Sequence, residues 1–147
     1  MKVLFICKGN WYRSQIAEAI YNQLTHSHDA SSVGTFVGTK DEPEGQVLSN
    51  LFNDTSFFFT VLEAHGLNIR DNRTKKLLPK MLNQYDVVVS MAEEPYIPDF
   101  LKNDTRVIWW DVKDGGDTTL ENMTAKYNEI EGLVRKLIAT LHTHTAD

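Results

Sequence analysis

Val3-Leu4-Phe5-Ile6-Cys7-Lys8-Gly9-Asn10-Trp11-Tyr12-Arg13-Ser14-Gln15-Ile16-Ala17-Glu18-Ala19-Ile20 reads as a strand, a tight loop and a helix in direct succession. The opening apolar run is of the kind buried on both faces of a parallel sheet. Ile16, Ile20 and Leu24, with Ala17, share one face of a helix predicted over Ser14–Leu24. A thiol closes the strand, and an arginine stands six positions later at the mouth of the helix.

That order of parts points to an anion. A loop turning from a strand into a helix aims successive backbone N–H groups at one point. The helix N-terminus adds unpaired donors and about half a positive charge. Gly9 gives conformational freedom, and Asn10 is a residue that tolerates the left-handed region. Arg13 offers a planar fork matched to two phosphate oxygens. The same features stabilise a thiolate: as a class, cysteines in such places have pKa values of roughly 3.5–7.5, below the free value of about 8.5. A thiolate held beneath a bound phosphate is a nucleophile aimed at phosphorus.

Cys7-x5-Arg13-Ser14, followed by Ile16-Ala17-Glu18-Ala19, resembles the low-molecular-weight protein tyrosine phosphatases, whose fold relatives include thiol-coupled arsenate reductases. The bare Cys-x5-Arg pattern is loose. Its place after an N-terminal strand, with Gly9-Asn10 inside it, is specific.

The chain has 147 residues, a net charge of −5 and one cysteine. Such a length suits one domain, residues 1–147, with a sizeable core. The acidic balance argues against nucleic acid or an acidic membrane surface as partner. A single cysteine excludes an intramolecular disulfide and a cysteine zinc cluster. No secretory leader or membrane span is legible, so the expected compartment is the reducing cytoplasm. No metal or cofactor is expected. His142-x-His144 reads as a tail, not a ligand pair.

Further strands are predicted over 32–37, 86–91 and 106–110. Residues 38–53 read as a surface excursion with a short helix around Val47–Phe52. Asp54 or Thr55 is expected to cap a helix carrying Phe58, Val61 and Leu62, with His65 in its last turn. The last helix is expected to open on Thr118-x-x-Glu121, a capping-box pattern. Its apolar face is Met123, Tyr127, Ile130, Val134, Leu137 and Leu141. Strands alternating with helices imply α/β architecture: a four-stranded parallel sheet, helices on both faces, and an anion loop after the first strand. Ligands sit at the C-terminal ends of such strands, where the Cys7 loop and the Asp111–Asp117 loop both fall.

The resemblance implies roles residue by residue. Cys7 becomes the nucleophile and Arg13 the oxyanion clamp, with Lys8, Gly9, Asn10, Trp11, Tyr12, Arg13 and Ser14 forming the phosphate loop. Ser14 matches a serine that hydrogen-bonds the nucleophile. Asp114 stands where the family carries its general acid, with Asp111 and Asp117 close enough to compete. Ser32 and Asn72 fall at positions resembling the supports of Asn10. Several residues depart from the pattern. Gly115 stands where proline usually follows the aspartate, and Gly116 and Asp117 where eukaryotic-type members carry tyrosines. Trp11 and Tyr12 are then the candidates for the substrate wall. Tyr12 replaces a second cysteine, Gln15 a proline, Asn72 a histidine and Ala92 an aspartate.

The expected function is a cysteine-dependent phosphomonoesterase acting on a phosphorylated protein, chiefly phosphotyrosine, or on a small aryl phosphate. Two alternatives stand beside it. One is an arsenate reductase served by an external thiol, since no second cysteine exists for an internal relay. The other is a non-catalytic oxyanion- or phosphoprotein-binding domain.

Overall fold

β1 (Val3–Cys7) is fully buried because it lies inside the sheet. It pairs in parallel with β2 (Ala30–Gly34) on one side and with β3 (Val87–Ser90) on the other; β4 (Ile108–Trp109) adds to β3, giving the order β2-β1-β3-β4. The sheet is the four-stranded parallel one expected. This computed structural model describes residues 1–145, with side chains to residue 142, so the expected tail histidine His144 lies outside the described side chains.

Alternate residues of β1 feed two apolar layers. Val3 and Phe5 join Val89 beneath α1 (Arg13–Thr25), α2 (Phe58–Ala64) and α4 (Leu120–Thr145). Leu4 and Ile6 face the other way, onto Val88, Leu77, Leu82, Leu101 and Val107. That second layer is closed by a 3-10 turn at Pro79–Asn83 and by α3 (Asp99–Lys102). Of the α4 face, Met123, Tyr127, Ile130 and Val134 are at most 1% exposed, so this stripe is the main apolar anchor of the C-terminal helix. His65 stacks on Tyr127, with ring centroids 3.9 Å apart, and so serves packing.

The chain leaves β1 for β2 on one side and returns to β3 on the other. The crevice at such a switch point opens at the C-terminal strand ends, where Cys7 lies.

Several boundaries differ from the sequence expectation. β2 begins at Ala30 and ends at Gly34; beyond it Thr35 and Phe36 donate to the Cys7 and Lys8 carbonyls, tying the chain to the loop instead of extending a strand. β4 is two residues long and exposed, because it is an edge with one neighbour. The short helix near 47–52 is a 3-10 turn at Leu48–Asn50. Asp54 and Thr55 do not cap α2: Thr55 donates back to Asn53 Oδ1, and Ser56 Oγ accepts from Phe58 N–H. α4 is capped by Thr119, whose Oγ1 accepts from Asn122 N–H at 3.3 Å, one residue later than the Thr118–Glu121 box.

Among the described residues no helix is long and apolar enough to cross a membrane.

Candidate active site

The Cys7–Ser14 loop is short and closed on itself. Cys7 Sγ lies 3.0 Å from Ser14 Oγ and accepts Asn10 N–H at 3.3 Å. Asn10 has φ +55°, the left-handed region that aspartate and asparagine visit most readily after glycine. Both polar atoms of its side chain are engaged in holding that turn. Nδ2 donates to Ser14 Oγ at 2.9 Å, and Oδ1 accepts the Lys75 backbone N–H at 2.8 Å. Gly34 is needed alongside, since a Cβ there would lie 2.6 Å from the Lys8 carbonyl oxygen and 3.0 Å from Asn10 N.

The supports of Asn10 are not all those expected. Asn72 acts through Gln15: Asn72 Nδ2 donates to Gln15 Oε1 at 3.1 Å, and Gln15 Nε2 donates to the Asn10 carbonyl at 3.1 Å. Ser32 does not reach Asn10. Its hydroxyl donates to Glu18 Oε1 at 3.1 Å, and Glu18 in turn pairs with Lys75 at 3.7 Å. Ser32 therefore stands two links away, through the residue whose backbone holds Asn10. Burial raises the Glu18 carboxyl, opposed by Lys75 and Ser32.

Arg13 is 1% exposed, at the start of α1. Nη1 donates to the Met91 and Val112 carbonyls and, at 2.8 Å, to Glu93 Oε2. Nη2 lies 3.4 Å from Glu93 Oε1 and 3.6 Å from Asp114 Oδ1. Burial opposes the guanidinium charge, but Cys7, Glu93 and Asp114 outweigh it and hold its pKa above the ordinary value. Nε is buried and has no protein partner, the kind of donor an oxyanion would satisfy.

Cys7, Lys8, Gly9, Trp11, Tyr12, Arg13 and Asp114 share one cavity of about 30 Å³, joined by Glu42 from the excursion. By comparison with the roughly 10–15 Å³ a single water needs on this measure, it is room for a small oxyanion and not for a ring. Of the three competing aspartates only Asp114 lines it. Asp111 is 82% exposed beside Lys113, and Asp117 accepts from Thr119 and Asn122 at the head of α4. Trp11 packs over Gly9 and is wedged edge-on between Phe52 and Tyr12, at 5.6 and 5.9 Å between centroids. Tyr12 turns inward instead. It is 6% exposed, its hydroxyl donates to Met123 Sδ at 3.1 Å, and its phenol is pushed up to about 12 by burial and then by Asp114 and Asp117. The half-buried indole, not the phenol, is the aromatic surface that this loop leaves at the mouth.

Three residues here escaped the sequence reading. Gln15 looked like a departure but braces the loop. Glu93 holds Arg13, accepting from its Nη1 at 2.8 Å, a pairing across 80 positions that no local window displays. Glu42 sat unremarked in a polar excursion. Among the described residues no cluster of three or more His, Cys, Asp or Glu could hold a metal. A thiol, an arginine fork with an unspent N–H and a carboxyl over one small cavity can bind an oxyanion and transfer a phosphoryl group.

The family described as low molecular weight phosphotyrosine protein phosphatase matches residues 2–146. No curated protein sequence matches the chain. Among solved structures, the low molecular weight protein tyrosine phosphatase from T. tengcongensis is similar at 26% identity and TM-score 0.72, covering 95% of this chain and 99% of that one. The YwlE arginine phosphatase from Geobacillus stearothermophilus is similar in fold at 20% identity and TM-score 0.76, covering 99% and 95%. A thioredoxin-dependent arsenate reductase from Corynebacterium glutamicum shares the fold at 22% identity and TM-score 0.66, covering 97% of this chain and 62% of its own.

Proposed function

The chain belongs to the low molecular weight phosphotyrosine protein phosphatase family and is a cysteine-based phosphatase, and from that premise we propose how its residues act and on what. The substrate is a phosphotyrosyl protein or a related aryl phosphate. Cys7 attacks phosphorus as the thiolate, the S–P bond forms and the bond to the aryl oxygen breaks. Asp114, as the acid, gives that oxygen its proton. Arg13 and the N–H groups from Lys8 to Ser14 hold the three remaining phosphoryl oxygens as negative charge builds on them. Asp114, now a carboxylate, takes a proton from water. The resulting oxygen attacks phosphorus, the S–P bond breaks, and inorganic phosphate and the thiolate are released. Ser14 Oγ, 3.0 Å from Sγ, stabilises the departing thiolate.

The single observation that carries this reading is the shared cavity: Cys7, Arg13 and Asp114 converge on one small space, while Asp111 and Asp117 are engaged elsewhere. Trp11 supplies a flat face where the ring of the substrate would emerge. A single cysteine leaves no internal thiol to carry an arsenate-reducing relay, which favours hydrolysis.

The test is hydrolysis of an aryl phosphate by the parent, Cys7→Ser and Asp114→Asn proteins. Loss of turnover in Cys7→Ser and a large fall in Asp114→Asn is the expected result. Full turnover by Cys7→Ser would overturn the reading.

A further inference from the structure

The excursion brings to this site a carboxylate that the hydrolytic scheme does not use. Glu42 lines the cavity with Cys7, Lys8, Trp11, Arg13 and Asp114. A tight turn holds it: Gly38 N–H donates to the Glu42 carbonyl at 2.7 Å, and Glu42 N–H donates to Thr39 Oγ1 at 3.2 Å. The excursion is tied down just beyond. Gly45 N–H and Gln46 N–H both bond to Thr74, and Leu48 is wholly buried. The carboxylate is therefore presented by a braced loop.

Its neighbours are unusual for a site built around an anion. Burial raises the Glu42 carboxyl above its ordinary value, opposed by Lys8 and reinforced by Asp114. Lys8 does not neutralise it in an ion pair. The Lys8 ammonium lies over the rings of Tyr96 and Phe36, 4.1 and 5.3 Å from their centroids. Glu42 belongs to none of the ion pairs among the described residues. Lining the cavity beside Trp11 needs only a neutral polar side chain, such as an amide. A negative charge at the mouth of a dianion site works against substrate binding, because like charges brought together oppose association. The charge helps only when the substrate brings a cation to that spot.

We propose that Glu42 is a specificity-determining residue that recognises a basic side chain flanking the phosphotyrosine of a protein substrate. Resting on the phosphatase reading above, the inference makes phosphotyrosine flanked by Lys or Arg the preferred substrate over phosphotyrosine flanked by Asp or Glu.

Two phosphotyrosyl peptides, differing only in lysine or glutamate flanks, test this. The parent is expected to favour the lysine peptide about fivefold in kcat/KM, the size of one partly exposed charge pair, about 1 kcal/mol. Glu42→Gln keeps the size and a polar acceptor beside Trp11 and removes the charge. It is expected to lower kcat/KM for the lysine peptide and raise it for the glutamate peptide. A residue that merely steadies Trp11 would move both in the same direction, and that result overturns the proposal. So does a parent with no preference, or one for the acidic peptide. Peptide Kd measured on Cys7→Ser, with and without Glu42→Gln, reads the same discrimination without turnover. If the parent fails to hydrolyse any aryl phosphate, the phosphatase reading falls on its own; if Cys7→Ser binds both peptides equally or neither, the Glu42 proposal falls.

Discussion

The two loops that meet over the small cavity are built in opposite ways. In the Cys7–Ser14 loop, Asn10, Arg13 and Ser14 are at most 1% exposed, and bonds from Gln15, Asn72 and Lys75 lock the turn from outside. In the Asp111–Asp117 loop, Asp111 is exposed, and Gly115 and Gly116 take φ of +87° and +81° with open space around them. Three contacts hold that second loop near Asp114: the Val112 carbonyl accepts from Arg13 at 3.0 Å, the Lys113 carbonyl accepts from Lys126 Nζ at 2.8 Å, and Asp114 itself lies 3.6 Å from Arg13 Nη2. The proposed nucleophile and its clamp are fixed from outside, whereas the proposed acid is followed directly by two glycines. Fixed geometry is a large part of what a catalytic group contributes. On the proposed mechanism, a stiffer residue after Asp114 is expected to raise turnover.

The comparison can be broken most severely at the fixed side. Cys7→Ser is expected to cut turnover at least roughly a thousandfold with the fold intact, as read by steady-state rate and circular dichroism. On the hinged side, Asp114→Asn should cost roughly 10²–10⁴ with a poor phenolic leaving group, and far less when the leaving group needs no proton. An equal loss in Asp111→Asn or Asp117→Asn would break the assignment of the acid.

Stability sharpens the same contrast. Gly34→Ala drives a methyl into the Lys8 carbonyl and is expected to cost about 3 kcal/mol by denaturant titration. Gly115→Ala meets nothing and should cost only the backbone term of its positive φ, about 1 kcal/mol. Asn10→Ala removes a side chain that bonds both Ser14 and Lys75, and should cost about 2 kcal/mol. The smallest effect is pH-linked. Burial raises the Glu18 carboxyl above its unfolded value. Its contribution to stability is then present below the unfolded pKa and lost as pH rises through the folded one. The parent should lose stability relative to Glu18→Gln as pH rises from about 4 toward neutrality, measured as the difference in Tm. A difference constant with pH would contradict it.

What the sequence made legible was local. The β1–loop–α1 succession, the β3 run and the α4 stripe each declare themselves within one window of residues, and so does the aspartate loop before α4. What stayed hidden depends on which distant segments meet. Ser32 goes to Glu18 because the register of β2 places it there, and no spacing reveals that. Tyr12 turns into the core because Met123 offers a partner 111 positions away. Glu93 reaches Arg13 from 80 positions away, a pairing visible only once both ends are in place. Glu42 looks like solvent-facing polarity until the excursion folds back to the mouth. The α4 cap falls one residue later than expected: Thr118-x-x-Glu121 matches the box pattern in sequence, but it is Thr119 whose Oγ1 accepts the Asn122 N–H.

The most direct measurement is a rapid acid quench of turning-over enzyme, followed by mass spectrometry of the peptide that contains Cys7. An aryl phosphate with a good leaving group should leave a phosphoryl group on Cys7, with more of it in Asp114→Asn, where water attack is slowed. Turnover with no adduct on Cys7, and none in Asp114→Asn, would contradict a thiolate cradle served by a hinged acid.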